Sequence, residues 1–333
     1  MTARLPEPAI HLTVGELRLI RDHIPGLVLP AFIGTAPVDD EDGAMAALAA
    51  LQRRRILGPI ASLDDDEWVR NLPGVLVLAF IVHGAADLAF QSHSWGDDGA
   101  TDHSTVVSGH GAAHITVRRP AGDTDVDRHR VTIRVSSLAA IWPMMMSVVP
   151  DLPVTKAAAG AATITMAASQ ALVAALRSGD ARLVGAVVME MHLPPDAVEV
   201  FRGLSGPLLG GYRLKVFSAG GGVVFAGNWF GTSRGWLRMR AGTTRPAART
   251  TARAMRPAAG TTARAMRPSA RPPRPAAGTT AQGIVDGGTV TVVAERPDDL
   301  ANDVLGLVAG LVRDRAAAAA GVGAAAARAG RAR

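Results

Sequence analysis

Two stretches far apart in the chain follow one plan. VTIRVSSLAAIWPMMMSVV (131–149) reads as an alternating strand that runs into an apolar helix, and VTVVAERPDDLANDVLGLV (290–308) does the same. A chain that closes twice on the same unit constrains its own architecture. The expectation is one domain over 1–315, made of two similar halves (about 1–153 and 154–315) that share a sheet. Alternation within the strands implies a mostly antiparallel sheet with one solvated face, so the fold class is α+β.

The remaining ordered segments fit this plan. HLTVGELRLIRDHI (11–24) reads as a short strand or a helix start. DDEDGAMAALAALQRRRILG (39–58) reads as a helix, with acids at its start, Arg53, Arg54 and Arg55 at its end, and Gly58 as its stop. Strands are expected at 75–83 (VLVLAFIVH), 104–109, 113–119 and 130–135, then an apolar helix at 137–149. The second half offers a helix at 195–205, a strand meander over 212–240 with turns at its glycines, a strand at 288–295 and a last helix at 297–312.

Two segments stand outside the fold. TTARAMRPAAG (250–260) recurs as TTARAMRPSAR (261–271), and a partial copy follows at 275–281. Pro257 and Pro268 would break a helix of that period. The insert 241–284 is therefore expected to be a disordered Arg/Pro/Ala-rich loop, and the Ala/Arg tail 316–333 to be disordered as well. These segments carry the basicity. The formal net charge is +6, yet 240–274 holds nine arginines and no acid and the tail holds three more, so the remainder bears −6. A folded body that is acidic argues against nucleic acid as its partner, and neither segment has the aromatics on which bases stack. Nucleic-acid or anionic-surface binding through the insert is the alternative function.

Chemistry-bearing motifs are few. GTSRG (231–235) matches the Gly-x-Ser-x-Gly of a nucleophile elbow, but the strand-like WLRMR follows it where a helix is required. The last histidine is His192, so no base follows Ser233 in the chain. A tight turn is the expected role. SAGGGVV (218–224) lacks the Gly-Lys-Ser/Thr of a phosphate loop and reads as a hairpin tip. In HGAAH (110–114) an extended strand would hold the two histidines about 13 Å apart, too far to share one ion. Asp64, Asp65, Asp66 and Glu67 read as helix-start acids. The chain has no cysteine, which removes disulfides and thiolate chemistry. The N-terminus lacks the apolar core of a signal peptide, and the eight-residue run VLVLAFIV is too short to span a bilayer. No catalytic, cofactor or metal-binding residue is assigned; the expectation is a cytoplasmic non-enzyme with no membrane insertion.

One segment invites a binding role. QSHSWGDDGATDHST (91–105) is polar and acidic, and its single Trp lies between two strands. Read as a long loop on a rigid scaffold, it suits recognition. Trp95 would pack on an apolar partner surface, and Asp97, Asp98 and Asp102 would supply charge complementarity. Ser94 and His103 complete the candidate partner-binding set.

The order of segments resembles the EspG family of type VII (ESX) secretion-associated proteins of actinobacteria. Four stretches carry the resemblance: HLTVGELRLIRDHIPGLVLPAFI, AMAALAALQRRRILGPI, LPPDAVEVFRGLSGPLLGGYRLKV, and GNWFGTSRGWLRMR with GTVTVVAERPDDLANDVLGLVAGL. Together they cover roughly 10–240 and 285–313. The insert and the tail are not family features, and the family's Gly-Arg turn is altered here to SRG. The resemblance implies a quasi-two-fold α+β fold with a central sheet flanked by helical bundles. It also implies a cytoplasmic chaperone of type VII secretion that binds a helical export substrate, a PE–PPE-like heterodimer, and keeps it soluble for delivery. By position, the family's early binding loop corresponds to 91–105.

Overall fold

The computed structural model describes residues 9–24, 26–35, 41–60, 68–109, 111–151, 160–242 and 288–331. The first half begins with β1 (Ala9–Thr13), α1 (Val14–His23), α2 (Glu41–Arg53), α3 (Trp68–Asn71) and α4 (Gly74–Gly84). It continues with β2 (Leu88–Gly96), β3 (Gly99–Ser108), β4 (Gly111–Pro120), β5 (Arg130–Ser137) and α5 (Ile141–Met146). The second half runs β6 (Ala161–Thr165), α6 (Met166–Ser178), α7 (Ala181–Glu190), α8 (Pro195–Ser205), β7 (Gly210–Ser218), β8 (Val223–Thr232), β9 (Gly235–Gly242), β10 (Thr289–Glu295) and α9 (Pro297–Arg331). Local chemistry sets several boundaries. Thr13 closes a capping box at the β1–α1 junction: its hydroxyl accepts from the Glu16 amide, and its own amide donates to the Glu16 carboxylate.

All ten strands form one antiparallel sheet in the order β1-β5-β4-β3-β2-β7-β8-β9-β10-β6. The order reads the same from either edge: an outer first strand, then the last three strands of the meander, then its first. The halves meet where β2 pairs β7, from Leu88 opposite Ser218 to Gly96 opposite Gly210. Antiparallel neighbours are related by a two-fold axis normal to the sheet, so equivalent helices of the two halves fall on the same face. The fold is α+β, a central antiparallel sheet flanked by helices.

Side-chain alternation divides the interior. Val106 packs with α1–α4 while its neighbour Val107 packs on the other face, against Ile141 and Met145 of α5 and Leu300, Val304 and Val308 of α9. A third cluster joins α6 and α8 to β6, β9 and β10 through Leu172, Phe201, Leu237 and Val292. Between the helices of the two halves, the middle strands β2 and β7 leave one face partly open, where Arg213 and Lys215 are exposed.

Three expectations require correction. The run VLVLAFIVH is the helix α4, not a strand: Pro73 precedes it, and Leu76, Ala79, Phe80 and His83 are buried at helical spacing. An apolar run of eight carries no period to distinguish the two. The tail is helical as far as Arg331, consistent with the helix preference of alanine. The helix expected at 137–149 is shorter, a 3-10 turn followed by α5. Apart from residues 241 and 242, which end β9, the insert lies outside the described residues, as do Asp64–Glu67 and His110.

Candidate functional site

The segment 91–105 is not a loop. It forms most of the β2–β3 hairpin, closed by a two-residue turn at Asp97 and Asp98 with Gly96 opposite Gly99. Gly99 has φ +121°, and a Cβ there would stand 2.1 Å from the Arg119 carbonyl oxygen. Only glycine fits this turn. Pairing on both sides, with β4 and β7, turns what would be a mobile connector into central sheet.

That placement divides the predicted residues. Ser94, Asp102 and His103 are buried, with 4%, 6% and 1% exposure, and of the three only Ser94 borders the cavity beside Trp95. Asp102 is an internal counter-ion, 2.6 Å from Arg119 and 2.8 Å from His93 Nδ1. Trp95 is half-buried. Its indole lies across Gly211 of β7, where an added Cβ would be 2.3 Å from Nε1. Trp95, Asp97 and Asp98 line a cavity of about 670 Å³ with Val148, Val149 and Leu209. Gly211→Ala is expected to displace the indole and cost about 1–3 kcal/mol, but to be nearly neutral in a Trp95→Ala background. Urea unfolding of the four-member cycle checks this coupling.

His103 belongs to a directional relay across the sheet. Ser136 donates to the Ser137 carbonyl at 3.0 Å, so His114 must donate to Ser136 from Nε2, at 2.7 Å. His114 Nδ1 then accepts from Thr105, whose oxygen accepts from His103 Nε2, both at 2.8 Å. His103 Nδ1 finally accepts from Thr116 at 2.7 Å. Every polar atom is satisfied only if both rings are neutral. Burial lowers the His103 pKa to about 4; burial, then His103 and Arg134, lower that of His114 to about 3. Both imidazoles and Thr105 are closed to solvent, and the relay links three strands.

Ser233 occupies the two-residue turn between β8 and β9, where Thr232 pairs with Gly235 and a strand follows. The glycines of 218–224 form the β7–β8 turn. Among the described residues no group of three His, Asp or Glu could hold a metal ion, and no helix is long and apolar enough to cross a membrane.

Sequence reasoning missed an apolar surface on the helical side. Leu78 and Ile81 of α4 are 46% and 60% exposed, beside Val69 at 45% and Val28 at 57%. Val69 and Ile81 border a cavity of about 200 Å³ that also takes in Ile24, Leu27, Val77 and Phe80. The adjoining Val28 borders a second cavity, of about 320 Å³, that reaches Ala89 and Phe217 over the centre of the sheet. The available signal was that VLVLAFIV is apolar all round; as a helix packed on the sheet by one side, it leaves Leu78 and Ile81 facing outward.

No protein-family model matches the chain, and no curated protein matches it. Among solved structures, the chain is similar to the Mycobacterium tuberculosis type VII secretion system chaperone EspG5, solved in complex with a PE25–PPE41 dimer. The two share 11% identity at a TM-score of 0.45, over 70% of this chain and 86% of that one. The fold assignment stands on the strand order and pairing described above.

Proposed function

We propose that this protein is a non-enzymatic chaperone of the EspG type, which binds a helical export substrate related to PE–PPE dimers in the cytoplasm and keeps it soluble. The observation that carries the reading is the exposed apolar surface of α4, whose cavity at Ile24 and Leu27 adjoins the one that Val28, Leu29 and Pro30 border over the open centre of the sheet. Contiguous apolar surface of this kind marks interaction sites on soluble proteins, and a helical partner with an apolar tip would be desolvated there. The segment order of the sequence supports the same class. Trp95, Asp97 and Asp98 are proposed as a second contact at the hairpin end.

The test is co-expression with helical export-type proteins, followed by size-exclusion chromatography with light scattering. A stable heterocomplex is expected, and Leu78→Glu with Ile81→Glu should weaken it at least a hundred-fold while leaving the unfolding free energy within about 0.5 kcal/mol, as for other surface changes. Asp97→Lys with Asp98→Lys probes the hairpin end without disturbing the seat of Trp95. An unaltered complex in the α4 double variant would sink the assignment of this surface.

A further inference from the structure

On the face of the sheet opposite α1–α4, three arginines share one recess. Arg118 of β4 and Arg130 of β5 are direct cross-strand partners, and Arg134 lies on the same face of β5 four residues on. With His11, Thr132 and Met144 they line a cavity of about 250 Å³ at the edge of α5. Among the described residues, no carboxylate forms an ion pair with any of the three. Arg134 Nε is buried without a hydrogen-bond partner, and Arg134 Nη1 has only the Met144 sulfur, at 3.8 Å. Arg130 Nη2 donates to His11 Nδ1 at 3.4 Å, which fixes His11 as a neutral acceptor on that side.

Like charges set directly opposite on a sheet are destabilising. Here they converge with unused donors on one concave spot, in a body whose remaining charge is negative. The geometry points to a binding site for a small soluble anion bearing phosphate, held by Arg118, Arg130 and Arg134, with Met144 as the apolar wall; the Thr132 hydroxyl is already committed to His11 Nδ1, at 3.2 Å. Guanidinium forks match phosphate oxygens pairwise. The recess is below the range of about 300–1,000 Å³ typical of drug-sized ligands, so it suits an inorganic or short organic phosphate rather than a polymer. The positive field registers on its neighbours: the His11 pKa is lowered by burial, then by Arg130 and Arg134. This site is independent of the chaperone reading and lies on the other face of the sheet from α4.

Titration calorimetry of the full chain with inorganic pyrophosphate tests it, with thermal melts alongside. Saturable binding and a raised melting temperature are expected, both weakened on going from about 0.1 M to about 1 M chloride, as the screening length falls from about 10 to about 3 Å. The nine arginines of 240–274 attract anions too, so the variants decide. Arg130→Gln and Arg134→Gln should each weaken the site about ten-fold, in line with the loss of one charge-assisted contact, and the pair should abolish it. Without ligand the pair should melt no lower than the parent, because repulsion is relieved. Arg118→Gln, like Arg130→Gln at an exposed position, gives the same ten-fold readout if the half-buried Arg134 variant fails to fold. No saturable binding, or binding unchanged by Arg118→Gln, overturns the proposal.

Discussion

Between pH 7 and pH 4 the protein is expected to lose most of its stability. His83, His103 and His114 are buried, and their pKa values are lowered to about 4, about 4 and about 3, with burial as the leading cause in each case. Unfolded, each would titrate near 6.5, so below that pH the unfolded chain binds more protons than the folded one. Stability is therefore fully present above about pH 6.5 and falls as the pH drops toward the folded values. A shift of this size corresponds to roughly 3 kcal/mol for each of His83 and His103, against a typical total of about 5–15 kcal/mol for a domain. Glu295, whose pKa is raised by burial, acts in the opposite sense at the acid end and offsets part of the loss. Urea unfolding at half-unit pH steps should show a plateau above pH 7 and a steep fall beneath 6. His103→Asn should reduce that slope by about one proton. A flat profile from pH 7 to pH 4 would mean that the histidines are not buried as described.

The second large effect is expected at Arg238, on the second half of the sheet. Its side chain is 6% exposed and pairs with Asp303 of α9 and with Glu295 at 3.5 Å. Its guanidinium lies 4.9 Å from the Trp229 ring centre, and Trp229 Nε1 donates to Glu295 at 2.8 Å. This one cation ties β8, β9, β10 and α9 together. Removing one partner of a buried pair strands the other charge, so Arg238→Ala is expected to cost about 3–5 kcal/mol. Arg238→Lys should recover only part of this, since a point charge replaces both the fork and the stacking. Glu295→Gln in the Arg238→Ala background should restore a measurable fraction, because it removes the stranded carboxylate. Chemical denaturation of the set checks this, and a loss below about 1 kcal/mol for Arg238→Ala would show that the cluster is solvated.

Both predictions rest on roles that the sequence did not show, since His103 was chosen there only as a partner contact. His103 reads there as one of several residues in a polar segment, and Arg238 as part of the alternating run WLRMR. Trp95 was legible as unusual, and its neighbours Asp97 and Asp98 do stand exposed at a turn. Ser94 and Asp102, chosen with them for polarity, are buried for different reasons: alternation along β2 turns Ser94 under one face, whereas Asp102 begins a run of six buried residues in β3, which is paired on both sides and covered on both faces. The α4 surface was hidden by the opposite error, since an apolar run read as a strand is expected to be buried on both sides.

The sequence by itself determined the elements whose period or punctuation is strong. These include α2 with its charged ends, α8 after Pro194, the glycine-punctuated meander β7–β9, and the recurring strand-then-helix closure that makes two halves. Local periodicity encodes which face of an element is apolar, and that information survives without partners. Only the tertiary structure decided what is non-local. It paired β2 with β7 and so turned 91–105 into the centre of the sheet. It wrapped VLVLAFIV as a helix with one side left bare. It also set Arg118, Arg130 and Arg134 side by side, through the register of two strands joined by a loop that carries no trace of that alignment.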